Sequence, residues 1–137
     1  MIKNRKAIIV GIKSTILSKK EKLFLSKYKP WGVILFSRNL KKFKQIQKLI
    51  TDIKSIFNDN RYPILIDQEG GKINRLSKLI DTSILTAEFY GNLYQRDKKK
   101  FSNYYRIYIN QISYLLNELG ININTVPVLD VRRSKSS

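Results

Sequence analysis

Four short apolar runs alternate along the chain with longer segments whose apolar residues recur every three or four positions. That alternation constrains the fold more than any other feature. Ala7-Ile-Ile-Val-Gly11 is β-branched and ended by glycine, and it reads as a buried strand. Gly32-Val-Ile-Leu-Phe36 is apolar at successive positions, the pattern of a strand covered on both faces in a parallel sheet. Pro63-Ile-Leu-Ile66 is a third such run, and Ile121 to Val128 supplies a fourth.

The intervening segments carry helix signals. Ser18-Lys-Lys-Glu21 is a capping-box pattern: the serine hydroxyl accepts a helix-start N–H while the glutamate reaches back. It opens a helix with Leu23, Phe24 and Tyr28 on one side. Pro30 stops it, because a ring without an N–H cannot continue the ladder. Phe43, Ile46, Leu49, Ile50, Ile53, Ile56 and Phe57 form one helical stripe, and Asn58-Asp59-Asn60 is turn chemistry. Lys72 to Gly91 is less regular, predicting loop with a short helix near Thr86 to Gly91. A long helix follows from Lys98 to Leu119, with a stripe of Phe101, Tyr104, Tyr105, Tyr108, Ile109, Ile112, Leu115, Leu116 and Leu119. Gly120 stands where a left-handed cap is needed.

Strand–helix alternation of this kind implies an α/β fold of about four parallel strands joined by right-handed helical crossovers. At 137 residues there is room for one domain. No run approaches the roughly 18 apolar residues of a membrane span. The opening MIKNRKAIIVGIKS is a poor signal peptide, since its apolar core is short, Lys13 follows at once and no small-residue cleavage site appears. The chain has no cysteine, which fits a cytoplasmic location and excludes disulfides and thiolate metal sites. It also has no histidine, the commonest general acid/base. The net charge of +17 raises nucleic-acid binding as an alternative. The lysines are spread rather than clustered, however, and Lys41, Lys44, Lys48, Lys54, Lys98, Lys99 and Lys100 fall on predicted polar helix faces, so the charge reads as a solvated basic surface.

Three strands run directly into polar residues: Arg38 after the second, Asp67 after the third, Asp130 after the fourth. In parallel α/β folds these ends share one side of the sheet, where sites are built. Capping is the competing use of such aspartates. Asp67-Gln-Glu-Gly-Gly71 is a sharper cluster, in which Gly70 and Gly71 allow a tight turn and a close ligand approach beside Glu69. Arg75 lies eight residues after Asp67. An acceptor and a donor together suit a polyhydroxyl ligand, and they equally suit a turn closed by an Asp67–Arg75 ion pair.

Three blocks carry a resemblance. Pro30-Trp-Gly-Val-Ile-Leu-Phe-Ser-Arg-Asn39, Leu65-Ile-Asp-Gln-Glu-Gly-Gly-Lys-Ile-Asn-Arg75 and Gly120-Ile-Asn-Ile-Asn-Thr-Val-Pro-Val-Leu-Asp-Val131 resemble successive blocks of the family 3 glycoside hydrolases, in order and spanning most of the chain. The likeness is to the bacterial β-N-acetylglucosaminidases of peptidoglycan recycling. It implies the N-terminal half of a (β/α)₈ barrel over residues 1–131, and the polar tail 132–137 is expected to fray. It implies that Asp67 and Arg75 bind hydroxyls of a terminal N-acetylglucosamine, with Arg38, Glu69, Gly70, Gly71 and Asp130 shaping the rim. Lys72 stands where members usually have arginine and cannot reproduce its fork of hydrogen bonds.

Such enzymes hydrolyse with retention, through a covalent intermediate on an aspartate. In the resembling enzymes that nucleophile, and a histidine acid/base, come after the last block. A complete barrel needs about 250 residues. The expectation is therefore a glycosidase fragment without catalytic residues of its own, inactive alone, needing no cofactor or metal and taking an N-acetylglucosamine-containing glycan. It is expected to have no specific nucleic-acid or membrane partner. A stand-alone module binding sugar or nucleic acid is the alternative. Two such half-barrels associating to close a ring is a third possibility, since four parallel strands leave two unpaired edges.

Overall fold

A computed structural model describes residues 4–129. In chain order it contains β1 (Lys6–Gly11), α1 (Lys19–Tyr28), β2 (Pro30–Leu35), a 3-10 turn (Ser37–Asn39) and α2 (Phe43–Phe57). β3 (Ile64–Ile66), α3 (Ala87–Arg96), α4 (Lys98–Leu119) and β4 (Ile123–Asn124) complete it. All strand pairs are parallel, and the sheet order is β1-β2-β3-β4. Val33 pairs with Ile64 and Leu65 with Ile123, so each strand sits beside its predecessor.

That order decides the architecture. A doubly wound sheet reverses direction at a switch point, whereas here each new strand is added on the same side. Helix α1 packs beside α2, and α2 beside α4, which puts these three on one face. This is the winding of a (β/α)₈ barrel, of which the chain forms the N-terminal four strands.

The core lies between the central strands and α2. Val33, Leu35, Ile64 and Ile66 are sealed from solvent, as are Ile46, Leu49, Ile50 and Ile53 of the predicted α2 stripe. Each such side chain contributes roughly 1.5–3 kcal/mol of gross burial energy. Gly120 caps α4 at φ 87°, and Lys54 reaches across to donate its Nζ to the Gly120 carbonyl at 2.9 Å. Lys54 is thus drawn half inside instead of lying on a solvated face. Burial holds its pKa below the ordinary value, opposed by nearby Asp59.

Several expectations need correcting. The sequence predicts a buried β1, yet Ile8 and Ile9 are 45% and 47% exposed. Neighbouring strand residues point to opposite faces. Ile8 and Ile9 are therefore exposed on opposite faces of β1, while Val10 packs against the core; β1 is also an edge strand, pairing only with β2 among the described residues.

In α1 the expected apolar side, Leu23, Phe24 and Tyr28, faces outward, and the buried residue is Leu25. Phe24 and Tyr28 do share a face, with ring centroids 4.9 Å apart, but it is the solvent face. Helix α3 runs five residues past Gly91 to Arg96, capped by the Thr86 hydroxyl, because Tyr90 and Tyr94 pack against Phe101 of α4. In α4, Tyr104 leaves the predicted stripe and is 53% exposed.

The fourth strand is two residues, not eight. Side chains replace the missing ladder: Asn122 Oδ1 accepts from Ile64 N at 2.8 Å, and Asn124 Oδ1 from Gln68 N at 3.0 Å. Asp130 and the tail 132–137 lie outside the described residues.

Candidate functional site

The ends of the four strands form one rim, and a continuous set of contacts crosses it. After β3, Asp67 is half-buried. Its Oδ1 accepts a hydrogen bond from the Thr125 hydroxyl, just past β4. Its Oδ2 faces Arg75 Nη2 at 3.4 Å, with both side chains about a quarter exposed. A separation of 3.4 Å is long for a charge-assisted bond, so the pair is an acceptor and a donor set side by side rather than a locked bridge. Arg75 Nε is buried with no hydrogen-bond partner.

After β2, the Phe36 ring carries two guanidinium groups. Arg38 lies 4.5 Å from its centroid and Arg75 5.5 Å, both within cation–π range. Arg38 Nε donates to the Ile12 carbonyl at 2.9 Å, tying the β2 end to the β1 end. Asn39 makes the same tie from inside. Fully buried, it donates to Ile12 O and Ser14 O while its Oδ1 accepts from Phe36 N.

The loop after Asp67 is built around Gln68, which is almost fully buried. Its Nε2 donates to Asn74 Oδ1 and Thr82 Oγ1, and its Oε1 accepts from Leu76 N. These bonds fold the Asp67–Arg75 segment back, placing Arg75 beside Asp67. Gly70 and Gly71 have φ of 85° and 59°. A Cβ on Gly70 would stand 2.4 Å from the Leu85 carbonyl oxygen, and one on Gly71 2.8 Å from Thr86 Cγ2. The tight turn is as expected. The close approach, however, is to the 85–86 segment of this same chain, not to open space for a ligand.

Glu69 departs from the rim cluster. With Gln68 and Asn124 it lines an adjacent cavity of about 350 Å³ whose other walls include Tyr90, Phe101, Tyr105 and Tyr108. Tyr90 meets Tyr105 edge-on with centroids 4.8 Å apart, while Phe101 stacks on Tyr105. Burial, then the neighbouring Tyr108 and Tyr105, push the Tyr90 hydroxyl up to about 12. Lys72 is exposed. Among the described residues no three His, Cys, Asp or Glu side chains gather as a metal site would need, and no helix is long and apolar enough to cross a membrane.

Of the predicted site residues, the fold brings Asp67, Arg75 and Arg38 together, uses Gly70 and Gly71 as the turn, and turns Glu69 toward the tyrosines. The sequence pattern does not distinguish Thr125, Phe36, Asn39 and Gln68 from their neighbours. Asn39 and Gln68 stand inside the motif blocks, but a buried amide and an exposed one look alike in sequence. Phe36 read as the last residue of a strand.

Residues 6–137 match the family model described as glycosyl hydrolase family 3 N terminal domain. The beta-hexosaminidase of Alkalilimnicola ehrlichii is 32% identical over 139 residues, and that of Thioalkalivibrio sulfidiphilus 26% over 129. Both alignments cover 94% of this chain, but only 36% and 37% of those proteins. Among solved structures, native NagZ from Neisseria gonorrhoeae superposes with a TM-score of 0.76 at 25% identity, covering 94% of this chain and 37% of NagZ. A family 3 β-N-acetylglucosaminidase from Paenibacillus sp. gives 0.64 at 25% identity, over 90% of this chain and 23% of that one. NagZ has also been solved with N-trifluoroacetyl-D-glucosamine bound. The chain thus spans little more than a third of the two beta-hexosaminidases and of NagZ, and less than a quarter of the Paenibacillus enzyme.

Proposed function

The chain belongs to glycosyl hydrolase family 3, and from that premise we propose that it is the sugar-gripping part of a β-N-acetylhexosaminidase, recognising a terminal β-linked N-acetylglucosamine on a glycan or cell-wall fragment. The observation that carries this reading is the Asp67–Arg75 pair on the strand-end rim. A carboxylate offers only acceptors and a guanidinium only donors, so together they match the two roles of adjacent sugar hydroxyls. Thr125 holds one carboxylate oxygen and the other makes only the long 3.4 Å contact to Arg75 Nη2, so that oxygen and the outer edge of the guanidinium, rather than its buried Nε, are the groups offered to ligand. Their shared partial burial strengthens such bonds without excluding a ligand.

Turnover needs more than grip. A retaining mechanism requires a nucleophilic carboxylate about 5–5.5 Å from an acid/base across the scissile bond. These 137 residues contain no histidine, Asp67 is engaged by Thr125 and Arg75, and Glu69 lines the tyrosine cavity. The chain by itself is proposed to bind without hydrolysing. The absence of cysteine fits a reducing compartment such as the cytoplasm.

Titration with N-acetylglucosamine, followed by amide NMR, tests the reading. Saturable shifts should centre on residues 67–75 and 125, and should vanish in Asp67→Ala, while a chromogenic N-acetylglucosaminide is not cleaved. A flat titration with the intact chain rejects the sugar site, and saturable cleavage rejects the division between grip and chemistry. The +17 charge favours a second reading, binding to a polyanion. Structure-selective nucleic-acid binding that survives moderate salt is the result that would promote it, because simple salt-sensitive retention follows from charge alone.

A further inference from the structure

We propose that Phe36 is a positioning residue for Arg75, its ring face setting the plane of the guanidinium that the site presents to ligand. Hydrogen bonds do not set that plane. Arg75 Nε is buried without a partner, and the contact to Asp67 is long at 3.4 Å. A guanidinium held at one corner can swing. The guanidinium also lies over the Phe36 ring, 5.5 Å from the Arg75 carbon to the ring centroid, where the negative face of the quadrupole attracts the cation.

Phe36 is itself held in place by the end of β1 and by the residues that follow it at the end of β2. On one side Gly11 comes so close that a Cβ there would sit 3.1 Å from Phe36 Cε2. On another, Arg38 stacks on the ring at 4.5 Å while its Nε is anchored to Ile12 O. Below, the Phe36 N–H is fixed by the buried Asn39 side chain at 2.9 Å. The placement of a β3-loop arginine is thereby inherited from β1 and β2. The glycine ending β1 gives the ring this room, since a Cβ there would press on it at 3.1 Å.

The functional half of the proposal rests on the sugar reading above; the orientation half does not. The experiment records arginine Nε–Hε NMR signals of the whole chain, identifying the Arg75 signal by its loss in Arg75→Lys, and then titrates N-acetylglucosamine. The wild-type Arg75 signal should be shifted upfield by the ring current. It should return to the ordinary position in Phe36→Leu and stay shifted in Phe36→Tyr, which keeps the aromatic face. Sugar affinity should fall about three- to tenfold in Phe36→Leu, the range a half-desolvated cation–π contact supports, and be restored in Phe36→Tyr. Should Phe36→Leu fail to fold, Gly11→Ala serves instead, because it displaces the ring without removing it.

An Arg75 signal that is unshifted in wild type, or indifferent to Phe36→Leu, overturns the orientation. A lost shift with unchanged affinity overturns its functional consequence. If the wild-type chain binds no sugar at all, the sugar reading fails, and the Arg75 signal still decides the orientation by itself.

Discussion

Gly70 shows how a single residue sets the shape of the rim. Its φ of 85° lies in the left-handed region, and the Leu85 carbonyl occupies the space a side chain would need, 2.4 Å from an ideal Cβ. Gly70→Ala therefore carries both a conformational and a steric cost, about 1–3 kcal/mol. The urea midpoint should drop accordingly, and any sugar binding should weaken because the loop that returns Arg75 to Asp67 is displaced. A midpoint equal to wild type would mean that the loop relaxes freely and is not the frame of the site. The aspartates and arginines were visible in the sequence as polar residues after apolar runs. The groups that orient them, Thr125, Phe36 and Gln68, were not, since their roles come from neighbours distant in sequence.

Among the elements, α1 and β4 teach opposite lessons. The α1 capping box is present as the Ser18–Glu21 pattern predicts: Glu21 N donates to Ser18 Oγ at 3.2 Å, and Glu21 Oε2 accepts from Ser18 N at 2.9 Å. Burial works to raise the Glu21 pKa. The Lys13 N–H, the Ser18 hydroxyl and N–H, and the Lys13 charge outweigh it and hold the carboxyl below its ordinary 4.5. A depressed carboxyl adds stability above its unfolded pKa and loses it as pH falls through the folded value. Acid titration of stability should thus be flatter in Glu21→Gln than in wild type below about pH 4.5. Equal slopes would show that the box does not couple to protonation.

β4, by contrast, relies on amides in place of length. Asn122→Ala leaves the Ile64 N–H of a sealed strand without its acceptor, at a cost of about 1–3 kcal/mol. Hydrogen exchange at Ile64 should accelerate more than at Leu49 of α2. Unchanged protection would mean that the short strand holds by backbone pairing alone.

At the scale of the whole molecule, two facts pull against each other. The charge of +17 disfavours close approach of two copies, while the uncovered β1 edge, with Ile8 and Ile9 and the neighbouring Trp31 of β2 each more than 40% exposed, invites it. Added salt screens the first and leaves the second. Light scattering should therefore show self-association growing with salt. Ile9→Lys should suppress it without lowering the urea midpoint, since that side chain is already half in solvent. Association that is indifferent to Ile9→Lys would place the sticky surface elsewhere, with the exposed Leu23 and Phe24 of α1 the next to test.

From local pattern alone came the number of strands, their alternation with helices, the capped ends of α1 and α4, the α2 stripe and the Asp67-Gln-Glu-Gly-Gly rim. All of these depend on interactions within a few residues or on simple periodicity. Tertiary structure decided the rest: that Leu25 rather than Phe24 turns inward, that Ile8 and Ile9 of β1 are exposed, that Asn122 and Asn124 complete a strand, and that Phe36 lies between two arginines. An apolar residue records that it prefers burial, but what buries it is another part of the chain, and periodicity holds no record of which part arrives.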